Sequence, residues 1–247
     1  MSHRRPPGRS ARHNRCMTKA GKEASPGVEL RFPAGRRELS ALWSEAPRAR
    51  AACVLAHGAG NDMRNRFLDG VVQGLTGSRV SAMRFNFPFT EEGRRAPDRA
   101  PVLIEAWRGA LQEAERRAGG LPLVAGGKSL GGRMASMLAA EDPAGFPCAA
   151  IVFFGYPLHA PGRTDQPRDA HLSSVRVPML FIQGTNDALA DLGLIEKAVH
   201  RLGPRATLHL VEGGDHSFRV RGARRPDEEI GRDLGSVAAE FIRGVLG

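Results

Sequence analysis

From about residue 28 onward, short apolar runs alternate with longer segments whose apolar residues recur at helical spacing. A continuous apolar run is typical of a strand buried on both faces, and an apolar stripe at every third or fourth position indicates an amphipathic helix. The predicted strands cover residues 28–34, 39–45, 51–57, 79–85, 121–127, 149–155, 178–184 and 206–213. The predicted helices cover residues 65–77, 98–118, 130–141, about 188–202, and about 227 onward.

This alternation of strands and helices predicts an α/β fold, with a mainly parallel central sheet and helices on both of its faces. Residues 28–247 form one predicted domain without an internal repeat. In sheets of this kind the functional groups collect beyond the carboxyl ends of the strands. The residues that directly follow each apolar run are therefore the first candidates for a site.

The segment Gly127-Lys128-Ser129-Leu130-Gly131 joins a predicted strand to a predicted helix and matches the pattern G-x-S-x-G. The pattern alone is weak, because a chain with 30 glycines can match it by chance. Its position between strand and helix is what a nucleophile elbow requires, with small residues two positions before and after the serine. Ser129 is the predicted nucleophile, and a glycine-rich turn without chemistry is the alternative.

A serine hydroxyl needs a base that removes its proton, and the base should follow a later strand. Among eight histidines, His216 lies in the glycine-rich loop "VEGGDHSF" after the last predicted strand. Asp187 follows the preceding strand and is the predicted partner that orients the imidazole. Asp191 and Asp215 compete with it, but the first is expected on a solvent-facing helix and the second is too close in sequence to His216. A surface-loop histidine and a helix N-cap are the alternatives for His216 and Asp187.

An acyl-transfer site also needs donors for the charge that develops on the carbonyl oxygen. The amide of Leu130, at the start of the helix after Ser129, is one predicted donor. The loop "HGAGN" follows the strand at 51–57, and the amide of Ala59 is the second predicted donor. No proton-transfer role is assigned to His57.

Charge is unevenly distributed along the chain. Residues 1–27 carry seven Lys or Arg and one Glu, or +6 of the total +10. This tail is rich in Pro and Gly and has no aromatic residue, so we expect it to be disordered. Its charge alone does not predict nucleic-acid binding, because no recognition module accompanies it.

Three widely spaced cysteines predict neither a disulfide framework nor a metal site, and a reducing, cytoplasmic setting is the simplest interpretation. No apolar run approaches the roughly 20 residues that cross a bilayer.

The order Ser129, Asp187, His216 and their strand-end positions resemble the α/β-hydrolase superfamily, in its dienelactone-hydrolase-like part, over residues 28–247. The segments "HGAGNDM", "GGKSLGGRMAS", "GYPLHAPG" and "VPMLFIQGTNDAL" are similar to a narrower branch. That branch includes testis-expressed protein thirty and also, as a separate member, a subunit of a chromatin-associated acetyltransferase complex. Bacterial hydrolases belong to it as well.

The resemblance implies an α/β-hydrolase fold with Ser129 as nucleophile, Asp187 as orienting acid and His216 as base. Residues 156–177 are too few for the large helical cap found in many hydrolases, so we expect an open pocket. Its predicted rim comprises Phe87, Tyr156, Pro157 and His159.

The residues and the resemblance together predict a serine hydrolase that cleaves a small to medium carboxylic ester or thioester through an acyl-enzyme intermediate. The expected partner is a small-molecule ester, and neither a metal nor an organic cofactor is implied. The alternative is a catalytically inactive scaffold of the same fold that binds a protein partner, since some relatives in the branch are non-enzymatic subunits.

Overall fold

The structure is a computed structural model that describes Met1 and residues 27–247. The predicted basic tail, residues 1–27, lies almost entirely outside the described residues. The strands are β1 (Val28–Ala34), β2 (Arg37–Ser44), β3 (Ala51–Ala56), β4 (Val80–Phe85), β5 (Leu123–Lys128), β6 (Cys148–Phe154), β7 (Met179–Gly184) and β8 (Ala206–Val211). The helices are α1 (Arg66–Gly77), α2 (Pro88–Glu91), α3 (Ala100–Ala118), α4 (Leu130–Glu141), α5 (Leu192–Leu202) and α6 (Asp227–Leu246).

The eight strands between residues 27 and 247 form one sheet in the order β1-β2-β4-β3-β5-β6-β7-β8. The pairs β1–β2 and β2–β4 are antiparallel. All pairs from β4 through β8 are parallel. The carboxyl ends of β3, β5, β6, β7 and β8 therefore meet at one edge, which is where the predicted site residues follow their strands.

Each face of the sheet is covered by its own hydrophobic core. One core includes Trp107 of α3, Met134 of α4 and Ile195 of α5. The other includes Phe67 of α1 and Leu234 of α6. Helices on both faces explain why the central strands are continuous apolar runs, and the predicted α/β class with a mainly parallel sheet is confirmed.

The helix predicted to begin at about residue 188 begins at Leu192 instead. The amide of Ala190 donates to the carbonyl of Asp187 at 3.1 Å, so the chain forms a separate turn before the helix. Asp191 then caps α5 by accepting a hydrogen bond from the amide of Leu194 at 3.0 Å. An N-cap aspartate of this kind sets where a helix starts.

The connection between β4 and α3 contains the short helix α2, which begins at Pro88. Proline suits the first helical position because the missing N–H has no acceptor there in any case.

The connection between β6 and β7 contains one short 3₁₀ helix, Ala170–Ser174. Over residues 27–247 the chain forms no large cap domain above the sheet, as predicted from the length of this connection. Within the same residues, every helix is too short or too polar to cross a lipid bilayer.

Candidate active site

Ser129 lies between β5 and α4 in a backbone conformation that L-residues rarely adopt, with φ 51° and ψ −116°. Its amide donates to the carbonyl of Phe154 at 3.1 Å, and its carbonyl accepts from the amide of Arg133 at 3.1 Å. These contacts anchor the turn on both sides. A strained, anchored turn of this kind presents its side chain in one orientation.

Two glycines around Ser129 allow the strand and the helix to approach closely. A Cβ added to Gly127 would lie 2.5 Å from the backbone nitrogen of Gly132, and one added to Gly131 would lie 2.3 Å from the carbonyl oxygen of Ala56. Neither position has room for a side chain. The spacing that suggested an elbow in the sequence therefore has a steric cause in the structure.

The imidazole of His216 lies between Ser129 and Asp187. The distance from His216 Nε2 to Ser129 Oγ is 2.9 Å, and the distance from His216 Nδ1 to Asp187 Oδ2 is 2.7 Å. The carboxylate accepts from Nδ1–H, so Nε2 is left to accept from the serine hydroxyl. The His216 side chain is 25% exposed, whereas that of Asp187 is fully buried.

The buried carboxylate of Asp187 is held by two further donors. Gln183 Nε2 donates to Oδ2 at 2.5 Å, and the amide of Leu189 donates to Oδ1 at 2.8 Å. Gln183 is fixed in turn, because its Oε1 accepts from the amide of Tyr156 at 2.9 Å. Together these hydrogen bonds fix the orientation of the Asp187 carboxylate.

Gln183 was not identified from the sequence. The available signal is a polar residue inside the apolar strand "MLFIQG", where it is completely buried.

Asp187 is not a helix N-cap, because Asp191 occupies that position of α5. The carboxylate of Asp215 forms hydrogen bonds within its own loop. Its Oδ1 accepts from the amides of Ser217 and Arg219 at 2.7 and 2.9 Å. Of the three carboxylates considered from the sequence, Asp187 is the one that contacts the imidazole.

The loop after β3 lies against the nucleophile turn. A Cβ added to Gly58 would be 3.5 Å from both the Cβ of Ser129 and the carbonyl oxygen of Lys128. Ala59, the next residue, is exposed. Leu130 is the first residue of α4, where a helix provides no acceptor for the amide N–H.

His57 stabilises this loop from below. Its Nδ1 donates to the carbonyl of Gly58 at 2.8 Å, and its Nε2 accepts from the amide of Phe87 at 3.1 Å. Burial lowers the pKa of the His57 imidazole, which favours the neutral ring that this arrangement requires. The ring has a structural role at the base of the loop.

The predicted pocket rim requires a correction. Phe87 and Tyr156 are completely buried and His159 is 3% exposed. Phe87 packs its ring edge-on against His57 at 5.2 Å, and Tyr156 packs against Phe153 at 5.1 Å. These aromatic side chains turn into the core below the strand ends, because that is where the large apolar surfaces of the neighbouring rings lie.

A cavity of about 270 Å³ lies beside the nucleophile turn instead. Its walls come from the loop after β3, the start of α1 and the loop after β8. The lining includes Gly58, Asn61, Phe67, Lys128, Ser217 and Arg219. Arg84, near the end of β4, is buried and forms an ion pair with Asp69.

Across the described part of the chain, no group of three or more His, Cys, Asp or Glu side chains is arranged so that it could hold a metal ion.

The strand order, the strand-to-helix turn at Ser129 and the strand-end positions of Asp187 and His216 define the α/β-hydrolase fold. Residues 49–243 match the family model described as an alpha/beta hydrolase domain, and the chain belongs to this family. The superfamily expected from the sequence is confirmed.

Solved structures that resemble the chain support the same fold. Dienelactone hydrolase from Anabaena variabilis is 21% identical, with a TM-score of 0.71 over 90% of this chain and 99% of that one. An α/β serine hydrolase without a lid from Xanthomonas campestris is 17% identical, with a TM-score of 0.68 over 89% and 95%. Est1E from Butyrivibrio proteoclasticus, with ferulic acid bound, is 12% identical, with a TM-score of 0.70 over 88% and 99%.

Proposed function

We propose that the protein is a serine hydrolase that cleaves a small to medium carboxylic ester or thioester through an acyl-enzyme intermediate. The observation that supports this proposal is the continuous hydrogen-bond chain from Ser129 Oγ through the His216 imidazole to the Asp187 carboxylate, at 2.9 and 2.7 Å. A buried carboxylate, a partly exposed imidazole and a serine on a strained turn are what nucleophilic acyl transfer requires.

In the first half of the reaction, Ser129 Oγ forms a bond to the carbonyl carbon while its proton passes to His216 Nε2. The tetrahedral intermediate then collapses, the bond to the leaving oxygen or sulfur breaks, and Nε2 returns the proton to the leaving group. In the second half, water loses a proton to Nε2 and attacks the acyl-enzyme, and Ser129 is released with its proton restored.

The carbonyl oxygen becomes negatively charged in both tetrahedral intermediates. The amides of Leu130 and Ala59 are the proposed donors to it, and the positive end of the α4 dipole is directed to the same point. Such donors are most effective in the transition state, because that is where the charge develops.

Several of the similar structures carry names that fit this class, among them dienelactone hydrolase and an esterase domain from Rhodothermus marinus. Their low identity limits the argument to the fold, so the substrate class of this chain depends on its own site. The 270 Å³ cavity next to Lys128 is of a size for a small acyl or alcohol group.

The proposal is tested by labelling the protein with a fluorophosphonate probe, which forms a bond only to an activated serine. We expect labelling of the wild type and none of Ser129→Ala, with the folded state of both checked by circular dichroism. Ser236→Ala is the matched control, because Ser236 is an exposed serine on α6 that does not line the cavity and should leave labelling unchanged. An unlabelled wild type would contradict the proposal and favour the inactive scaffold.

A panel of p-nitrophenyl esters with increasing acyl chain length should then show a peak in kcat/KM at short to medium chains. Rates that do not depend on chain length would contradict a defined acyl site.

A further inference from the structure

Lys128 is the last residue of β5 and directly precedes Ser129. Its ammonium group donates to the backbone carbonyl of His216 at 2.6 Å. The side chain therefore links the nucleophile turn to the main chain of the residue whose imidazole contacts the nucleophile. The two residues are 88 positions apart in the sequence.

Gly155 and Phe218 lie close to the contact between Lys128 and the His216 carbonyl. A Cβ added to Gly155 would lie 3.0 Å from Lys128 Nζ, 3.3 Å from the carbonyl oxygen of His216 and 3.5 Å from His216 Cε1. On another side, Nζ lies 5.4 Å from the ring centroid of Phe218. A glycine with φ 71° and an aromatic ring thus enclose the ammonium at the point where it meets the carbonyl.

The loop that carries His216 is otherwise braced mainly within itself and against the turn after β7. The amide of Phe218 donates to the carbonyl of Asp215 at 2.8 Å, and the amide of Asn186 donates to the carbonyl of Gly214 at 2.9 Å. Phe218 adopts φ 64°, which is costly for a residue with a side chain. These contacts fix the shape of the loop and its attachment to β7, whereas Lys128 attaches it to the nucleophile turn.

We propose that Lys128 is a positioning residue that holds the imidazole of His216 at hydrogen-bonding distance from Ser129 by binding the His216 carbonyl. This inference rests on the proposed function, since it assigns a purpose to the alignment of the two side chains. An error of about 1 Å in that alignment can reduce the rate about 100-fold.

The strength of the contact depends on pH. Burial lowers the pKa of the Lys128 ammonium to about 8, and the nearby carboxylates of Asp187 and Asp215 oppose that shift. Across the cavity, Arg219 and Asp227 neutralise each other through two hydrogen bonds of 2.8 and 2.7 Å. The imidazole of His57 lines the same cavity as Lys128, and the imidazole of His216 approaches Gly155 from the same side as Nζ.

As the pH rises through about 8, Lys128 loses its proton and the charge-assisted bond to the carbonyl weakens. The positioning role therefore predicts that kcat falls on the alkaline side, with an apparent pKa near 8. The ammonium also opposes formation of the imidazolium by its charge. If that repulsion outweighed the positioning effect, removal of the charge would increase kcat.

The test compares Lys128→Met with the wild type, because Met fills a similar volume but lacks both donor and charge. We expect kcat on the best p-nitrophenyl ester to fall about 10- to 100-fold with little change in KM, and the alkaline decrease near pH 8 to disappear. Lys197→Met is the control, since Lys197 is an exposed lysine on α5. It should retain the kcat and pH profile of the wild type.

Amide hydrogen exchange over residues 212–220 gives a second readout that does not require activity. We expect faster exchange in Lys128→Met than in the wild type or Lys197→Met. Unchanged exchange together with an unchanged or increased kcat would overturn the positioning role, even if fluorophosphonate labelling of Ser129 supports the hydrolase. A rise in KM at constant kcat would also overturn it, because Lys128 would then contact the substrate instead.

Discussion

Replacement of Asp187 by Asn should reduce kcat by about 10⁴-fold while the fold is preserved. The Asp187 carboxylate accepts from His216 Nδ1–H, from Gln183 Nε2 and from the amide of Leu189. An Asn side chain that still accepts from Leu189 through its oxygen turns its NH₂ group toward His216. Nδ1 must then accept, the proton moves to Nε2, and the imidazole can no longer take the proton of Ser129.

Rotation of the Gln183 side-chain amide does not solve this conflict. Gln183 would have to present its oxygen to the new NH₂ group, but that oxygen already accepts from the amide of Tyr156 at 2.9 Å. The variant therefore either holds the wrong tautomer of His216 or leaves a buried donor without a partner, which costs about 1–3 kcal/mol.

Steady-state kinetics on a p-nitrophenyl ester measure the loss, with the acyl-enzyme burst as a second readout. Asp191→Asn is the control, because Asn is as good an N-cap for α5 as Asp. The Asp191 carboxylate accepts from the amide of Leu194 and not from His216. A kcat for Asp187→Asn within tenfold of the wild type would show that the carboxylate is not needed to orient His216.

The central strands could be predicted from the sequence to within one or two residues. Runs such as "AACVLA" and "MLFIQG" are buried along their whole length, because helices cover both faces of the sheet. The helix start near residue 188 could not be predicted, since a turn that uses the carbonyl and carboxylate of Asp187 occupies residues 187–190. A local turn that is held by a site residue leaves no periodic signal.

The residues of the candidate site were identifiable because each lies in the turn or loop that follows a strand. Their supporting contacts were not identifiable, because the partner that fixes Gln183, Tyr156, is 27 positions away and the partner of Lys128, His216, is 88 positions away. The prediction of the pocket rim was wrong for a related reason. An aromatic residue such as Phe87 after a strand can face the opening or the core, and only the packing against His57 decides between them.

The contact between α1 and α6 could likewise not be predicted from the sequence pattern, although both helices pack into the same hydrophobic core. Gly70 and Gly74 lie one turn apart on α1, and Gly231 and Gly235 lie one turn apart on α6. A Cβ on Gly231 would lie 2.1 Å from the carbonyl oxygen of Phe67. Glycines four residues apart predict a helix face without side chains. Which helix packs against that face depends on the fold.

This close contact predicts a large loss of stability for Gly70→Ala. The added Cβ would lie 1.9 Å from the carbonyl oxygen of Glu228 and 2.8 Å from the backbone nitrogen of Arg232. Both are main-chain atoms, so α1 and α6 must move apart and the packing of Phe67 and Leu234 beneath them must loosen. We expect the free energy of unfolding in urea to fall by about 3 kcal/mol.

The matched control lies seven residues further along the same helix. A Cβ on Gly77 meets no atom within 4 Å, so Gly77→Ala should leave stability unchanged or increase it by about 0.5–1 kcal/mol. The pair separates the steric effect from the helix propensity of alanine, which favours both variants. Equal stability of Gly70→Ala and Gly77→Ala would mean that α1 and α6 are not in main-chain contact.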